Sequence, residues 1–136
     1  MRRLLGALGV ALACTSCAGM RPATLATETA WQGLNVVDAG QTVAISRNPG
    51  AYEEGDAGTV CLIGRHPTAR GVYVTMVGYA TAHAGITAFL DEHDPGMGAW
   101  HLASVTWQAG TLGAKAAVVL DNRHLQIDPW MGTRHE

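Results

Sequence analysis

The sequence predicts an all-α protein, a small three-helix bundle that follows a cleaved signal. Apolar residues make up 48% of the 136-residue chain and charged residues only 15%, against about 25% charged in an ordinary soluble domain. Apolar and small residues recur at helical spacing in three long segments, and turn-forming residues separate these segments. We expect helices at about 28–47, 69–90 and 99–120 within one domain, 28–136.

The N-terminus has the composition of an export signal. Arg2 and Arg3 supply positive charge, and an apolar run follows at 4–13. This run is too short to span a bilayer, which takes about 20 apolar residues. We therefore expect a signal peptide at 1–16 and a short tether at 17–27.

The end of this signal, ALAC at 11–14, resembles the lipobox of bacterial lipoproteins, in which small residues precede a cysteine. The resemblance implies a lipid on Cys14, with Cys17 as the alternative, and a protein anchored to a membrane that faces the periplasm. An ordinary secretory signal cut nearby is the other interpretation, and either one predicts export. Cys61 lies in an apolar segment and is expected to be a buried thiol. Whether it pairs with Cys17 stays open.

The first predicted helix, 28–47, ends before the Asn-Pro-Gly turn at 48–50. Asn35, Asp38 and Thr42 form a polar stripe between two apolar flanks. A helix that is apolar on both flanks is expected to be buried on both, so the Asp38 carboxylate needs a partner inside the protein.

Small residues recur along the second and third predicted helices, and five of them are glycines. A glycine inside a helix costs about 1 kcal/mol relative to alanine, which close approach between two helices would offset. We therefore expect the two helices to form a close-packed hairpin, joined by the loop 91–98. The glycines of this predicted stripe are Gly71, Gly78, Gly85, Gly110 and Gly113.

Two further segments are expected to lack long helices. The segment 48–66 contains a short apolar run at 60–63, too brief to distinguish a strand from a buried coil. The polar tail 121–136 carries Pro129 and is expected to be irregular.

A group of polar residues is expected to converge inside the bundle. An Asp that orients a His is a general-base arrangement, so one interpretation is a small Asp/His hydrolase or a metal-binding protein. The plainer interpretation is that these groups satisfy one another and fix the helix register, since no nucleophile motif accompanies them. We expect no catalytic residues, no metal and no cofactor. The predicted cluster is Asp38, Gln41, His83 and Gln108, with Asn122 at its rim.

Two segments, WQGLNVVDAGQT at 31–42 and GRHPT at 64–68, are similar to segments of small uncharacterised envelope proteins of Proteobacteria and their phages. The similarity covers most of the chain after the signal. Because that group has no established activity, it implies a location in the cell envelope and no mechanism.

These observations favour a non-enzymatic lipoprotein of the bacterial cell envelope with a structural or interaction role. Its expected partners are membrane lipid, through the N-terminal cysteine, and other envelope proteins. The net charge of −2 provides no basic surface, so nucleic acid is not an expected partner. The alternative is an integral membrane helical hairpin, for instance an accessory or phage lysis-related protein. The small-residue stripes favour this alternative, whereas Lys115 and His83 inside the helices oppose it.

Overall fold

A computed structural model of the protein describes residues 19–55 and 57–130. Of these residues 77% are helical and none forms a strand, which confirms the all-α prediction. The predicted signal, with Cys14 and Cys17, lies outside the described residues. The helices of the described part are α1 (Pro22–Arg47), α2 (Ala57–Ile63), α3 (Ala69–His93) and α4 (Gly98–His124).

Helix α1 begins at Pro22, earlier than the expected start at 28. Proline suits the first position of a helix, where its missing N–H is not needed. The backbone N–H of Arg21 donates to Oδ2 of Asp91 at 2.8 Å, so a carboxylate from a distant part of the sequence caps the helix. The expectation of a tether up to 27 is therefore wrong from Pro22 onwards.

The segment between the first two long helices contains α2, so its apolar run is part of a short helix. Cys61, within α2, is exposed, and the expectation of a buried thiol is wrong.

Helices α3 and α4 extend beyond the expected bounds, to His93 and His124. Gly96, in the connection between them, has a φ of 84°, a left-handed conformation that favours glycine.

The contacts divide the chain into two compact units. Within the described residues, unit 1 consists of 19–32 and 77–113, and unit 2 consists of 33–76 and 114–130. Each long helix contributes residues to both units, and each unit has its own set of buried side chains.

The apolar core of unit 2 forms where the residues after α4 meet α1. Ile127 is buried with Ala44 and Ile45 in one hydrophobic cluster. Gly40 lies so close to Pro129 that a Cβ at Gly40 would lie 2.7 Å from the Cβ of Pro129. Residues 121–124 of the tail that was expected to be irregular belong to α4. The residues from 125 to 130 are irregular, but Ile127 and Pro129 among them pack against α1.

The predicted glycine stripe does not pack two helices together. Within the described part of the chain, the three atoms nearest to a Cβ at Gly71 belong to Thr68 and Ile63, which are close in sequence. The prediction of a hairpin that is close-packed along this stripe is wrong, because the buried side chains of α3 form a neighbouring stripe that begins at Val72. In the same part of the chain, a Cβ would meet no atom within 4 Å at Gly78, Gly85, Gly110 and Gly113.

Replacing exposed glycines by alanine is expected to stabilise the protein. Gly78→Ala and Gly110→Ala should each raise the free energy of unfolding by about 0.5–1 kcal/mol, because alanine restricts the unfolded chain and fits the open space. Thermal unfolding followed by circular dichroism measures the change.

Gly40→Ala is the matched control, since Gly40 also lies inside a helix. There the added methyl would overlap Pro129, so we expect a loss of about 1–3 kcal/mol. Destabilisation by Gly78→Ala as large as that by Gly40→Ala would contradict the exposed position of the stripe.

Candidate functional site

The most elaborate polar site in unit 1 is centred on the imidazole ring of His83. The ring stacks on the indole of Trp31, with the centroids 3.8 Å apart and the planes 8° from parallel. Trp107 also stacks on the ring, with a centroid distance of 5.0 Å and the planes 28° from parallel. His83 is only 6% exposed. The two indoles therefore fix the position and the plane of the ring.

Both ring nitrogens of His83 have hydrogen-bond partners on other helices. Nδ1 lies 2.8 Å from Oε2 of Glu28 on α1, and Nε2 lies 2.8 Å from Oγ1 of Thr111 on α4. An ionised carboxylate only accepts hydrogen bonds, so Nδ1 carries the proton and donates it to Glu28. The imidazole of α3 thus links α1 to α4 within unit 1.

The groups around this pair complete its hydrogen bonds. Gln32 Nε2 donates to the other carboxylate oxygen of Glu28 at 2.6 Å and lies 3.0 Å from the carbonyl oxygen of Ala80. The Trp107 indole N–H donates to the hydroxyl of Thr87 at 3.0 Å. Both oxygens of the buried carboxylate are therefore paired, which offsets the cost of removing it from water.

The order carboxylate, imidazole, hydroxyl is also that of a hydrolase triad. Thr111, however, lies inside α4, where its hydroxyl is 2.7 Å from the carbonyl oxygen of Trp107. Backbone N–H groups inside a helix are bonded to the preceding turn, so they are not available to stabilise an oxyanion. This geometry suits a link between helices better than acyl transfer.

Thr111 also lines an open, mainly apolar groove of about 590 Å³ in unit 1. The other residues that line the groove come from α3 and α4, and none of their side chains is charged. They are Leu90, Ala99, Leu102, Ala103, Thr106, Trp107 and Gly110.

A charged cluster closes one end of unit 1. The Nε of Arg21 lies 2.7 Å from Oδ1 of Asp91, and its Nη2 lies 2.6 Å from Oδ2 of Asp94. His101 Nδ1 lies 3.0 Å from the same oxygen of Asp94. Thr24 donates its hydroxyl proton to Asp91. The cluster fixes the start of α1 against the end of α3.

These hydrogen bonds change the acidity of the cluster. The bond from the Arg21 guanidinium lowers the pKa of Asp94 from 3.8 to about 2. Burial raises the pKa of Asp91, but the hydrogen bonds from Thr24 and Arg21 outweigh burial, and the net direction is down. The hydrogen bond to Asp94 raises the pKa of Arg21 in turn.

Unit 2 has a separate polar site. Lys115 Nζ lies 2.7 Å from Oδ2 of Asp38. Gln41 is fully buried, and its Nε2 donates to the carbonyl oxygen of Val119 at 3.2 Å. The Asn122 side chain donates to Oε1 of Gln41, also at 3.2 Å. Polar groups thus satisfy one another inside this unit as well.

The residues of the predicted polar cluster divide between the two units. Asp38, Gln41 and Asn122 belong to unit 2, whereas His83 and Gln108 belong to unit 1. The partner of Asp38 is Lys115, and Gln108 donates to the hydroxyl of Ser104 at 3.0 Å. The pairing of Asp38 with His83, on which the hydrolase interpretation depended, is thus replaced by the pairs Asp38–Lys115 and Glu28–His83.

The sequence analysis missed Glu28, Trp31, Thr111 and the role of Lys115. A signal for the first two was present, because Glu28 and Trp31 continue the stripe of Asn35 towards the N-terminus at helical spacing. Because the first helix was expected to start at 28, Glu28 was assigned to its first turn, where a carboxylate needs no distant partner.

Comparisons with models of known protein families, with curated proteins and with solved structures find no match. None of the helices in the described part combines the length and the hydropathy needed to cross a bilayer. Among the same residues, no group of three or more His, Cys, Asp or Glu is placed to hold a metal ion.

Glu28→Gln is expected to destabilise the protein. The substitution keeps the size of the side chain but removes its negative charge and one of its two acceptor oxygens, so that His83 or Gln32 loses its partner, at a cost of about 2–3 kcal/mol. Urea unfolding followed by circular dichroism measures it. Thr29→Ala, at the exposed neighbouring position, is the control and should change stability by less than about 0.5 kcal/mol. Equal effects of both substitutions would contradict the role of Glu28.

Acid is expected to destabilise the protein through the charged cluster of unit 1. Asp94 has a pKa of about 2 in the folded protein and an ordinary value of 3.8. The unfolded chain therefore binds protons first as the pH falls, and the stabilisation, complete above about pH 5, is lost towards pH 2.

Asp94→Asn tests this explanation, because it should lose less stability than the wild type between pH 5 and about pH 2.5. Urea unfolding at both pH values provides the comparison. Glu92→Gln, at an exposed neighbouring carboxylate, should retain the wild-type pH dependence. An Asp94→Asn variant with the wild-type dependence would show that another group is responsible.

Proposed function

We propose that the protein is a non-enzymatic component of the bacterial cell envelope, held at a membrane and acting through structural or interaction contacts. The observation that carries this proposal is the distribution of charge on the three long helices. Their charged residues lie at the helix ends or are buried in pairs, and the surfaces between the ends carry no exposed charge.

This distribution holds for each helix separately. In α1 the charged residues before Arg47 are Glu28 and Asp38, which are 2% and 4% exposed. In α3 the stretch 71–90 contains no Asp, Glu, Lys or Arg. In α4 the stretch 98–120 contains only Lys115, whose side chain is 13% exposed and pairs with Asp38.

Apolar side chains occupy the exposed positions instead. A helix of a soluble domain normally buries its apolar face and presents polar residues to water. Extended apolar surfaces mark contacts with lipid or with other proteins. The exposed apolar residues of these helices include Val36, Tyr73, Val77, Ile86, Leu102 and Val105.

The N-terminal sequence supplies the proposed attachment. A lipid on Cys14, or on Cys17 as the alternative, anchors the exported chain to a membrane facing the periplasm. Two acyl chains, or one chain together with a second signal, hold a protein stably at a membrane. The apolar surfaces of the helices are suited to a further contact, with lipid or with another envelope protein.

An integral membrane protein of the accessory or phage lysis-related kind is the second candidate, favoured by the same surfaces. The charge-free stretch 71–90 extends about 30 Å as a helix, close to the hydrocarbon thickness of about 30 Å, although its mean hydropathy is below that of a spanning helix. In this case the helices themselves, and not the lipid, hold the protein in the membrane.

Carbonate extraction of bacterial membranes tests both candidates. Wild-type protein is expected in the membrane pellet. If a Cys14→Ala/Cys17→Ala double variant is released, the lipid is the anchor, and if it stays in the pellet, the helices are. Mass spectrometry of the mature N-terminus identifies the modified cysteine. Release of the wild-type protein as readily as a soluble periplasmic marker would overturn the proposal.

A further inference from the structure

Unit 1 carries an exposed aromatic cluster beside the turn between α3 and α4. The rings of Phe89 and His93 are 4.3 Å apart, and Trp100 lies 5.9 Å from Phe89 in an edge-to-face arrangement. Phe89 is 50% exposed and Trp100 is 46% exposed. Met97, in the turn itself, is 74% exposed. The three rings thus form an exposed cluster where α3 ends and α4 begins.

The same end of unit 1 holds the chain that leads to the N-terminal cysteines. Arg21 is fixed there by its bonds to Asp91 and Asp94. At roughly 3.5 Å per residue, an extended chain reaches about 14 Å from Arg21 to Cys17 and about 25 Å to Cys14. A lipid on either cysteine therefore enters a bilayer within that distance of the charged cluster.

The chemistry of this end matches the boundary between headgroups and acyl chains. Tryptophan prefers that boundary, because its ring is apolar and its N–H is polar. Charged residues lie between Phe89 and Trp100 in the chain, at 91–94, whereas the stretches 71–90 and 98–114 contain no Asp, Glu, Lys or Arg. Asp91, Glu92 and Asp94 outnumber Arg21 at this end, so anionic lipid headgroups would be repelled.

We propose that this aromatic cluster, formed by Phe89, His93 and Trp100, is, together with the exposed Met97 of the turn, a membrane-contact surface that inserts at the headgroup boundary of a zwitterionic bilayer. The inference rests on the proposed function, since it requires a protein held at a membrane. The cluster is the part of the molecule that touches the lipid, and the headgroup boundary is the depth at which it does so. The cluster adds a protein contact with the membrane to that of the N-terminal lipid.

Depth-dependent fluorescence quenching tests the inference on the full-length lipidated protein in vesicles of zwitterionic phospholipid. Bromine is placed either close to the headgroup or near the end of the acyl chain. Bromine near the headgroup is expected to quench the fluorescence more strongly. Trp100→Phe should abolish most of this quenching, whereas Trp130→Phe, which removes an 85% exposed tryptophan of unit 2, should retain it.

Partitioning of the Cys14→Ala/Cys17→Ala variant into lipid-only vesicles provides a second measurement. Each aromatic side chain that is buried in the bilayer is expected to raise the partition coefficient by about tenfold. Phe89→Ala and Trp100→Ala are each expected to weaken binding to zwitterionic vesicles by about that factor. Leu62→Ala, at an exposed apolar position of unit 2, should have no such effect. Anionic vesicles should bind the parent variant less well than zwitterionic ones.

The results separate this inference from the proposed function. If the protein stays with the vesicles but Trp100 is not quenched, the cluster faces away from the lipid, and only the inference fails. Stronger quenching of Trp100 from the acyl-chain end would overturn the boundary position in favour of helices inserted in the membrane. If the lipidated protein does not stay with the vesicles at all, the proposed function fails and the inference with it.

Discussion

The pairing of buried polar side chains between helices is the constraint on which the rest of the structure depends. Glu28 is paired with His83 in unit 1, and Asp38 is paired with Lys115 in unit 2. Leaving one partner of such a pair alone inside a protein costs about 3–5 kcal/mol. Each pair therefore fixes which faces of two helices meet, and the stacking of Trp31 on His83 makes the first pair specific in orientation as well.

A polar interior has a consequence for the exterior. When the stripes that face inward carry Glu, Asp, His, Gln and Thr, many of the apolar residues of the same helices remain on the outside, as Val77 and Leu102 do. The exposed glycines on the outer faces then cost helix stability without an observed packing contact in return. An apolar environment around the helices would reconcile both features, because lipid contacts apolar and small side chains without the cost that water imposes.

The sequence was sufficient to predict an all-α protein, the start of α3 at Ala69 and a polar stripe on the first helix. It was not sufficient to choose between two stripes of α3. Gly71, Gly78 and Gly85 recur at helical spacing, and so do the buried residues that begin at Val72. Periodicity therefore identifies a helix without identifying its inner face. The partners of Glu28 and Arg21 lie 55 and 70 residues away. Local patterns therefore did not reveal the buried pair in unit 1 or the cap that starts α1 at Pro22.

The turn that follows α4 has a practical meaning for anyone who engineers the protein. Ile127 fills the apolar core of unit 2 beside Ala44 and Ile45, and Pro129 occupies the space that Gly40 leaves open. A chain truncated directly after α4 would expose that core to solvent. An affinity tag or a fluorescent reporter is therefore best fused after Trp130, where the side chain already points into solvent.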